Sequence, residues 1–339
     1  MGTISVSGRS GRVESGSSRR IVCYSVTFPV DVSRPDLLWQ LEASIRSLRA
    51  HNRSSQVVVF VHHPVPDELF SRVEPLGVRI VLQPTYEARL AALQPRASES
   101  LSRYPLLHKF LNFSEISAMS PSQVLLLDCD TIFCGDVDRI FDAYGDAHCV
   151  AREEPTCSRS HYGYDPAYLD ETLLAHLARS QGVHPPPPFN LGVVMLNHDV
   201  WSHLANLAPV LVDLAWRFQV WMAMNPPTGV AAGYGEGQGV EHLRENFARL
   251  VSPNEARRAL IYPSSNRWIL DQMALWFTLG HLVGLRYRDF QRRDVIQNGE
   301  FLLPEAGART WVLCHYFNQN MSRLDAWLRG ERFTEALVV

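Results

Sequence analysis

The segment Leu125-Leu126-Leu127-Asp128-Cys129-Asp130-Thr131-Ile132 constrains this chain more than any other, because an apolar run ends in two carboxylates one residue apart. A run of about four to eight apolar residues reads as a buried strand. Side chains alternate across a strand, so Asp128 and Asp130 are expected on one face. In an open α/β sheet the ligand site lies beyond the carboxyl ends of the strands. Two hard oxygen ligands placed there suit a divalent cation that also holds the phosphates of a ligand.

The flanking sequence supplies the sheet. Ile21 to Phe28 reads as a first strand, followed by a helix capped by Asp36 with Leu37, Leu38, Leu41, Ile45 and Leu48 on its apolar face. Gln56 to Val61 and Val78 to Leu82 read as two more strands, with helix around Asp67 to Val73 between them. This βαβαβ alternation argues for an α/β fold with a mostly parallel sheet and helices on both faces. A helix around Leu106 to Ile116 precedes the Asp128 strand. Asp136 or Asp138 is expected to start the next helix, Arg139 to Tyr144, as a cap and not as a second ligand pair.

A strand around Cys149 follows, then a polar, proline-rich stretch over residues 153–188 that reads as loop with a short helix inside it. Phe189 to Asn197 is a strand, and helix runs on to about Met224. Residues 225–239 are too rich in glycine and proline for regular structure, and read as a lid or acceptor-binding segment. Trp268 to Leu279 is helical, strands lie near Leu282 and Trp311 to Cys314, and a short amphipathic helix lies near Leu324 to Leu328.

With 339 residues and 46% hydrophobic composition, the chain can bury one large core. Residues 1–20 read as a solvated tail, and residues 21–335 as one domain in two halves, 21–135 and 136–335. A net charge of −3 and scattered arginines give no field for nucleic acid, so no such partner is expected. No secretory signal and no apolar run of about 18 residues is present. The six cysteines include no C-x-x-C pair, and four of them sit in apolar strand-like runs. A cytoplasmic location is expected. Of the 32 lysines and arginines, only Lys109 is a lysine.

Lys109, the Asp128/Asp130 pair, the Phe189-Asn190-Leu191-Gly192 strand start, Asp271-Gln272 and His315 occur in an order that, with the opening strand, resembles the GT-A fold glycosyltransferases that use nucleotide sugars. The likeness is to family 8, which includes glycogenin and bacterial lipopolysaccharide galactosyltransferases. It covers roughly residues 21–330. The resemblance implies a Rossmann-like sheet and transfer of a hexose from a nucleotide diphosphate sugar, a UDP-sugar above all, to a hydroxyl of a small-molecule or glycan acceptor, with retention. It implies Mn²⁺ or Mg²⁺ held by Asp128, Asp130 and His315. It also places Val26, Thr27, Phe28, Lys109, Cys129 and Gly192 at the donor, and Asn190, Asp271 and Gln272 at the transferred sugar. Gly192 would allow close approach there. Asp271 reads equally well as a helix cap.

The chain departs from the family after His315. The family continues H-x-x-G-x-x-K-P-W, whereas this sequence reads His315-Tyr316-Phe317-Asn318-Gln319-Asn320-Met321-Ser322-Arg323. The phosphate-binding lysine is missing, and Arg323 is the candidate substitute. Two other classes compete with the transferase reading. A haloacid-dehalogenase-like phosphatase also places D-x-D after a strand, and a sugar-nucleotide-binding protein without catalysis would share the motifs. A nucleotidyltransferase would want a glycine-rich, basic loop after the first strand, which Val26 to Val30 lacks. The oligomeric state is not legible.

Overall fold

The computed structural model describes residues 4–5, 19–28, 35–95, 101, 107–153, 178, 182–184, 186–187, 189–224, 270–297 and 311–316. In chain order the strands are β1 (Ile4–Ser5), β2 (Arg20–Thr27), β3 (Gln56–His62), β4 (Arg79–Gln83), β5 (Gln123–Leu127), β6 (Thr131–Phe133), β7 (Cys149–Glu153), β8 (Phe189–Asn197), β9 (Leu282–Val283), β10 (Tyr287–Asp289), β11 (Val295–Gln297) and β12 (Leu313–His315). The helices used below are α1 (Pro35–His51), α2 (Glu68–Val73), α3 (Tyr86–Leu93), α4 (His108–Leu111), α5 (Phe113–Ala118), α6 (Asp138–Ala143), α7 (His198–Met224) and α8 (Leu270–Leu279).

Seven strands form the main sheet in the order β10-β7-β8-β5-β2-β3-β4. It is mixed and mostly parallel, as expected: β8 alone runs antiparallel to its two neighbours, β5 and β7. A smaller sheet, β11-β12-β6, stands beside it. The central strands β2, β3, β5 and β8 are apolar on both faces because both faces are covered. Ile21, Cys23, Val58, Phe60, Val124 and Leu126 pack with Phe110, Phe113, Trp201 and Leu275 on one side. Val22, Tyr24, Val57, Val59, Leu125 and Leu127 pack with Leu38, Leu41, Ile45, Leu48 and Phe141 on the other. Each such burial is worth about 1.5–3 kcal/mol of transfer free energy.

Two expectations are corrected. Helix α1 begins at Pro35, so Asp36 lies inside its first turn and does not cap it; the fixed φ of proline suits a first helical position. The single helix expected around Leu106 to Ile116 is two, α4 and α5, joined at Asn112. The Asn112 side chain donates to the His108 carbonyl, 2.9 Å away, and so competes for a backbone acceptor. Ile4–Ser5 pairs in parallel with Leu282–Val283. Ahead of α6 the Asp136 carboxylate accepts from the Asp138 N–H at 3.0 Å and from the Asn52 amide at 2.6 Å, while Val137 stands at the N-cap without a side-chain cap. The segments 154–177 and 225–269 and the helix expected near Leu324 to Leu328 lie outside the described residues. Among the described residues no helix is long and apolar enough to cross a membrane.

The turn after β5 is anchored from beneath. Thr131 donates from Oγ1 to the Asp128 carbonyl at 3.0 Å, and its oxygen lies 2.7 Å from Ser44 Oγ, itself 2.7 Å from Tyr24 Oη. With Thr131 donating onward, Ser44 donates to Thr131 and Tyr24 to Ser44. Tyr24, Ser44 and Thr131 are all fully buried. Removing the middle oxygen leaves the buried Tyr24 hydroxyl without its acceptor and the Thr131 oxygen without its donor, so Ser44→Ala is expected to cost about 1–3 kcal/mol of unfolding free energy in urea melts. A loss below about 0.5 kcal/mol would contradict the chain.

Candidate metal and sugar-nucleotide site

Strand β5 stops at Leu127, and residues 128–130 form the turn into β6. The two carboxylates therefore converge because the chain folds over on itself, not because of strand alternation as the sequence suggested. The turn is pinned at both ends: the Asp128 N–H donates to Gly192 O at 2.8 Å, and the Tyr316 N–H donates to Asp130 O at 3.1 Å. The second bond brings the end of β12 over the turn. Its pairing with β6 sets His315 opposite Thr131. As a result one ligand atom from each of Asp128, Asp130 and His315 lies within 4.8 Å of the others. His315 Nε2 is 3.3 Å from Asp130 Oδ1 and 3.8 Å from Asp128 Oδ2.

Lys109 faces this cluster from α4. It is 3% exposed, and its Nζ donates to Asp128 Oδ1 at 2.6 Å and to Leu191 O at 2.7 Å. Burial acts to raise the Asp128 pKa, but the Lys109 ammonium and then His315 outweigh it, holding the carboxyl below its ordinary value. The lysine is therefore a fixed counter-charge to Asp128. A burial this deep is uncommon for lysine without a charged partner.

The sugar-side candidates gather nearby. Asn190 and Gly192 open β8, which runs antiparallel to β5 and so lies beside its carboxyl end. Asn190 Oδ1 accepts from the Gly192 N–H at 2.6 Å. Asp271 and Gln272 are buried at the start of α8, with Asp271 Oδ1 accepting from the Gln272 N–H at 2.8 Å. Gln272 Oε1 is buried and has no hydrogen-bond partner among the described residues. Burial pushes the Asp271 carboxyl up to about 7; Lys109 lowers it, and the Asp128 charge raises it.

Other expected donor contacts sort themselves by face. Val26 and Phe28 are buried in the core on the α1 side, as is Cys129, whose thiol burial pushes well above its usual range. Their side chains thus pack in the core; only their backbone could reach a ligand. Thr27 Oγ1 is buried and has no hydrogen-bond partner among the described residues. Arg323 lies outside the described residues.

Sequence reasoning passed over a buried polar network on the α4 side of the sheet. Asn112 Nδ2, which carries two hydrogens for three acceptors, donates to Ser25 Oγ at 3.1 Å as well as to His108 O and lies 3.3 Å from His62 Nε2, while His62 Nδ1 donates to Pro84 O at 3.3 Å. Burial lowers His62 to about 4, so the ring is neutral and fits that tautomer. His108 beside Lys109 is lowered to about 3, by burial first and then by the lysine charge. The signal was a polar residue within or ending each of two apolar strands, Ser25 in β2 and His62 in β3. The Leu191 carbonyl that holds Lys109 left no side-chain signal at all.

No protein-family profile and no curated protein sequence matches this chain. Among solved structures it is similar to mouse xyloside xylosyltransferase 1 in its apo form, with a TM-score of 0.47 and 10% identity over 88% of this chain and 98% of that one. It is similar to the galactosyltransferase LgtC in complex with donor and acceptor sugar analogs, with a TM-score of 0.46 and 11% identity over 94% and 98%. It is similar also to the glycosyltransferase GlyE of Streptococcus pneumoniae TIGR4, with a TM-score of 0.42 and 16% identity over 89% of this chain and 56% of that one. The functional reading is carried by the side-chain constellation itself.

Asp271 gives the site a pH signature. Unfolded, its carboxyl titrates near ~3.9, whereas folded it titrates near about 7. Between those values the folded state holds a proton that the unfolded state lacks, so this group's contribution to stability falls as pH rises. The stability of Asp271→Asn relative to the natural chain should therefore climb from pH 4 to pH 7, by up to about 1.4 kcal/mol per pH unit, in urea melts at each pH. A difference that stays flat across that window would contradict the buried, proton-holding carboxyl.

Proposed function

We propose that this chain is a metal-dependent glycosyltransferase that moves a hexose from a nucleotide diphosphate sugar, a UDP-sugar, to a hydroxyl of a small-molecule or glycan acceptor with retention. The observation that carries the reading is the convergence of Asp128, Asp130 and His315 at the carboxyl end of β5, with Lys109 locked behind the first carboxylate. A sheet edge of this kind is where α/β folds place phosphorylated ligands. Two carboxylates and an imidazole form a mixed oxygen and nitrogen donor set that fits Mn²⁺ or Mg²⁺, with coordination positions left for waters and phosphate.

Asp128, Asp130 and His315 are the residues that would hold the ion. Once bound, it supplies Lewis acidity to a diphosphate leaving group. Lys109 keeps Asp128 ionised and aimed. The buried Gln272 Oε1 suits a role as acceptor toward a sugar hydroxyl or toward positive charge developing at the anomeric carbon. An amide is a poor nucleophile, so its presence there favours a front-face substitution in which the acceptor's proton passes to the departing diphosphate oxygen. Arg323 would supply phosphate-side charge in place of the lysine that the sequence lacks. Residues 21–135 would carry the donor, and residues 136–335 the acceptor. The free thiols of the described cysteines fit a cytoplasmic setting.

Purified protein is to be incubated with a panel of UDP-sugars and Mn²⁺, and free UDP measured. Asp130→Asn should lower turnover at least about 100-fold, equivalent to ~2.7 kcal/mol, while its circular dichroism spectrum stays that of the natural chain. Undiminished turnover in Asp130→Asn would contradict the reading. Release of inorganic phosphate in place of UDP would move the protein to the phosphatase class, and no release from any donor would leave a binding protein.

A further inference from the structure

We infer that Asn190-Leu191-Gly192 is a backbone template that sets the metal-site geometry, with Gly192 the positioning residue that seats the imidazole of His315. The inference rests on the metal reading above and names how this chain builds that site.

Four contacts meet on these three residues. The Asn190 side chain accepts from the Gly192 N–H at 2.6 Å and so braces the segment. The Leu191 carbonyl accepts from Lys109 at 2.7 Å, fixing the cation that faces Asp128. The Gly192 carbonyl accepts from the Asp128 N–H at 2.8 Å, fixing the backbone of the first carboxylate. The His315 ring lies directly against the Gly192 Cα. A Cβ added there would stand 2.5 Å from Nε2 and 2.6 Å from Nδ1, with Cε1 nearer still. One short strand start thus touches the backbone of Asp128, the counter-charge of Asp128 and the ring of His315.

Space, and not conformational freedom, is what demands glycine here. Gly192 is not among the glycines of positive φ, which are Gly77, Gly182 and Gly284 in the described residues. An added methyl group therefore meets no backbone penalty, only the ring. The ring has no easy retreat. His315 is 2% exposed and sits in β12, which is paired with β11 on one side and with β6 on the other. Alanine at 192 must shift the imidazole from the seat in which its Nε2 lies 3.3 Å from Asp130 Oδ1. The close approach that a glycine permits is made by a protein side chain in this chain, and the Asn190 oxygen is directed to the backbone beneath it. Both residues thereby shape the site through the backbone and the ring that they hold. Partners of this kind behind metal ligands typically change affinity about 10–100-fold when removed.

A double-mutant cycle on Gly192→Ala and His315→Ala tests this. Mn²⁺ affinity is read by electron paramagnetic resonance of the free ion in the presence of UDP, together with the thermal midpoint without metal. Gly192→Ala should weaken Mn²⁺ binding at least about 10-fold and lower the midpoint. In the His315→Ala background, where the ring is gone, the same change should alter neither. Should Gly192→Ala fail to fold, the double variant should fold, because the clash has been removed. Mn²⁺ binding by Gly192→Ala equal to that of the natural chain overturns the inference alone. So does an equal cost of Gly192→Ala in both backgrounds, or failure of both variants to fold. Absence of Mn²⁺ binding by the natural chain overturns the metal reading beneath it as well.

Discussion

Two carboxylates held side by side repel each other, and the architecture around residues 128–130 exists around that repulsion. Asp128 and Asp130 sit at a turn between two strands, each forced toward the other by backbone bonds to Gly192 and Tyr316. In the protein alone the charge is partly met by Lys109 at 2.6 Å from one oxygen of Asp128 and by His315 near both carboxylates. A divalent cation between them would complete the compensation. Buried Asp271, further back, holds its proton up to about pH 7, chiefly because burial disfavours its charged form.

The scaffold's contribution is to hold these groups where they would not rest by themselves. Helix α1 supports the turn through a buried hydroxyl chain from Tyr24 to Thr131, and the antiparallel strand β8 delivers Asn190 and Gly192 to the edge where β5 ends. A parallel strand in that position would present its far end to the site. The single reversed strand of the main sheet is thus what places the 190–192 segment beside Asp128, and the small sheet brings His315 over the top.

Much of this was legible in the sequence, for a physical reason. Runs such as Val57 to Val61 and Val193 to Leu196 bury both faces, and their apolar continuity marks them as central strands; the end of such a run marks the sheet's edge, where a polar residue such as Asp128 stands out. The order of Lys109, the aspartates, Asn190 and His315 was legible through the family resemblance that it carries. What escaped were features set by neighbours distant in sequence. The turn at 128–130 depends on Gly192 and Tyr316, and the break at Asn112 on a side chain choosing the His108 carbonyl. The need for glycine at 192 comes from the ring of a residue in another sheet. No local pattern records such a contact.

The central claim is that one cation is shared by Asp128, Asp130 and His315. Anomalous diffraction at the manganese edge, from crystals of the natural chain grown with Mn²⁺ and UDP, tests it most directly. The account predicts a single strong peak bonded to a carboxylate oxygen of each aspartate and to a ring nitrogen of His315, with diphosphate oxygens completing the shell. A site without a peak, or manganese bound elsewhere with these side chains turned away from the nucleotide, would contradict it.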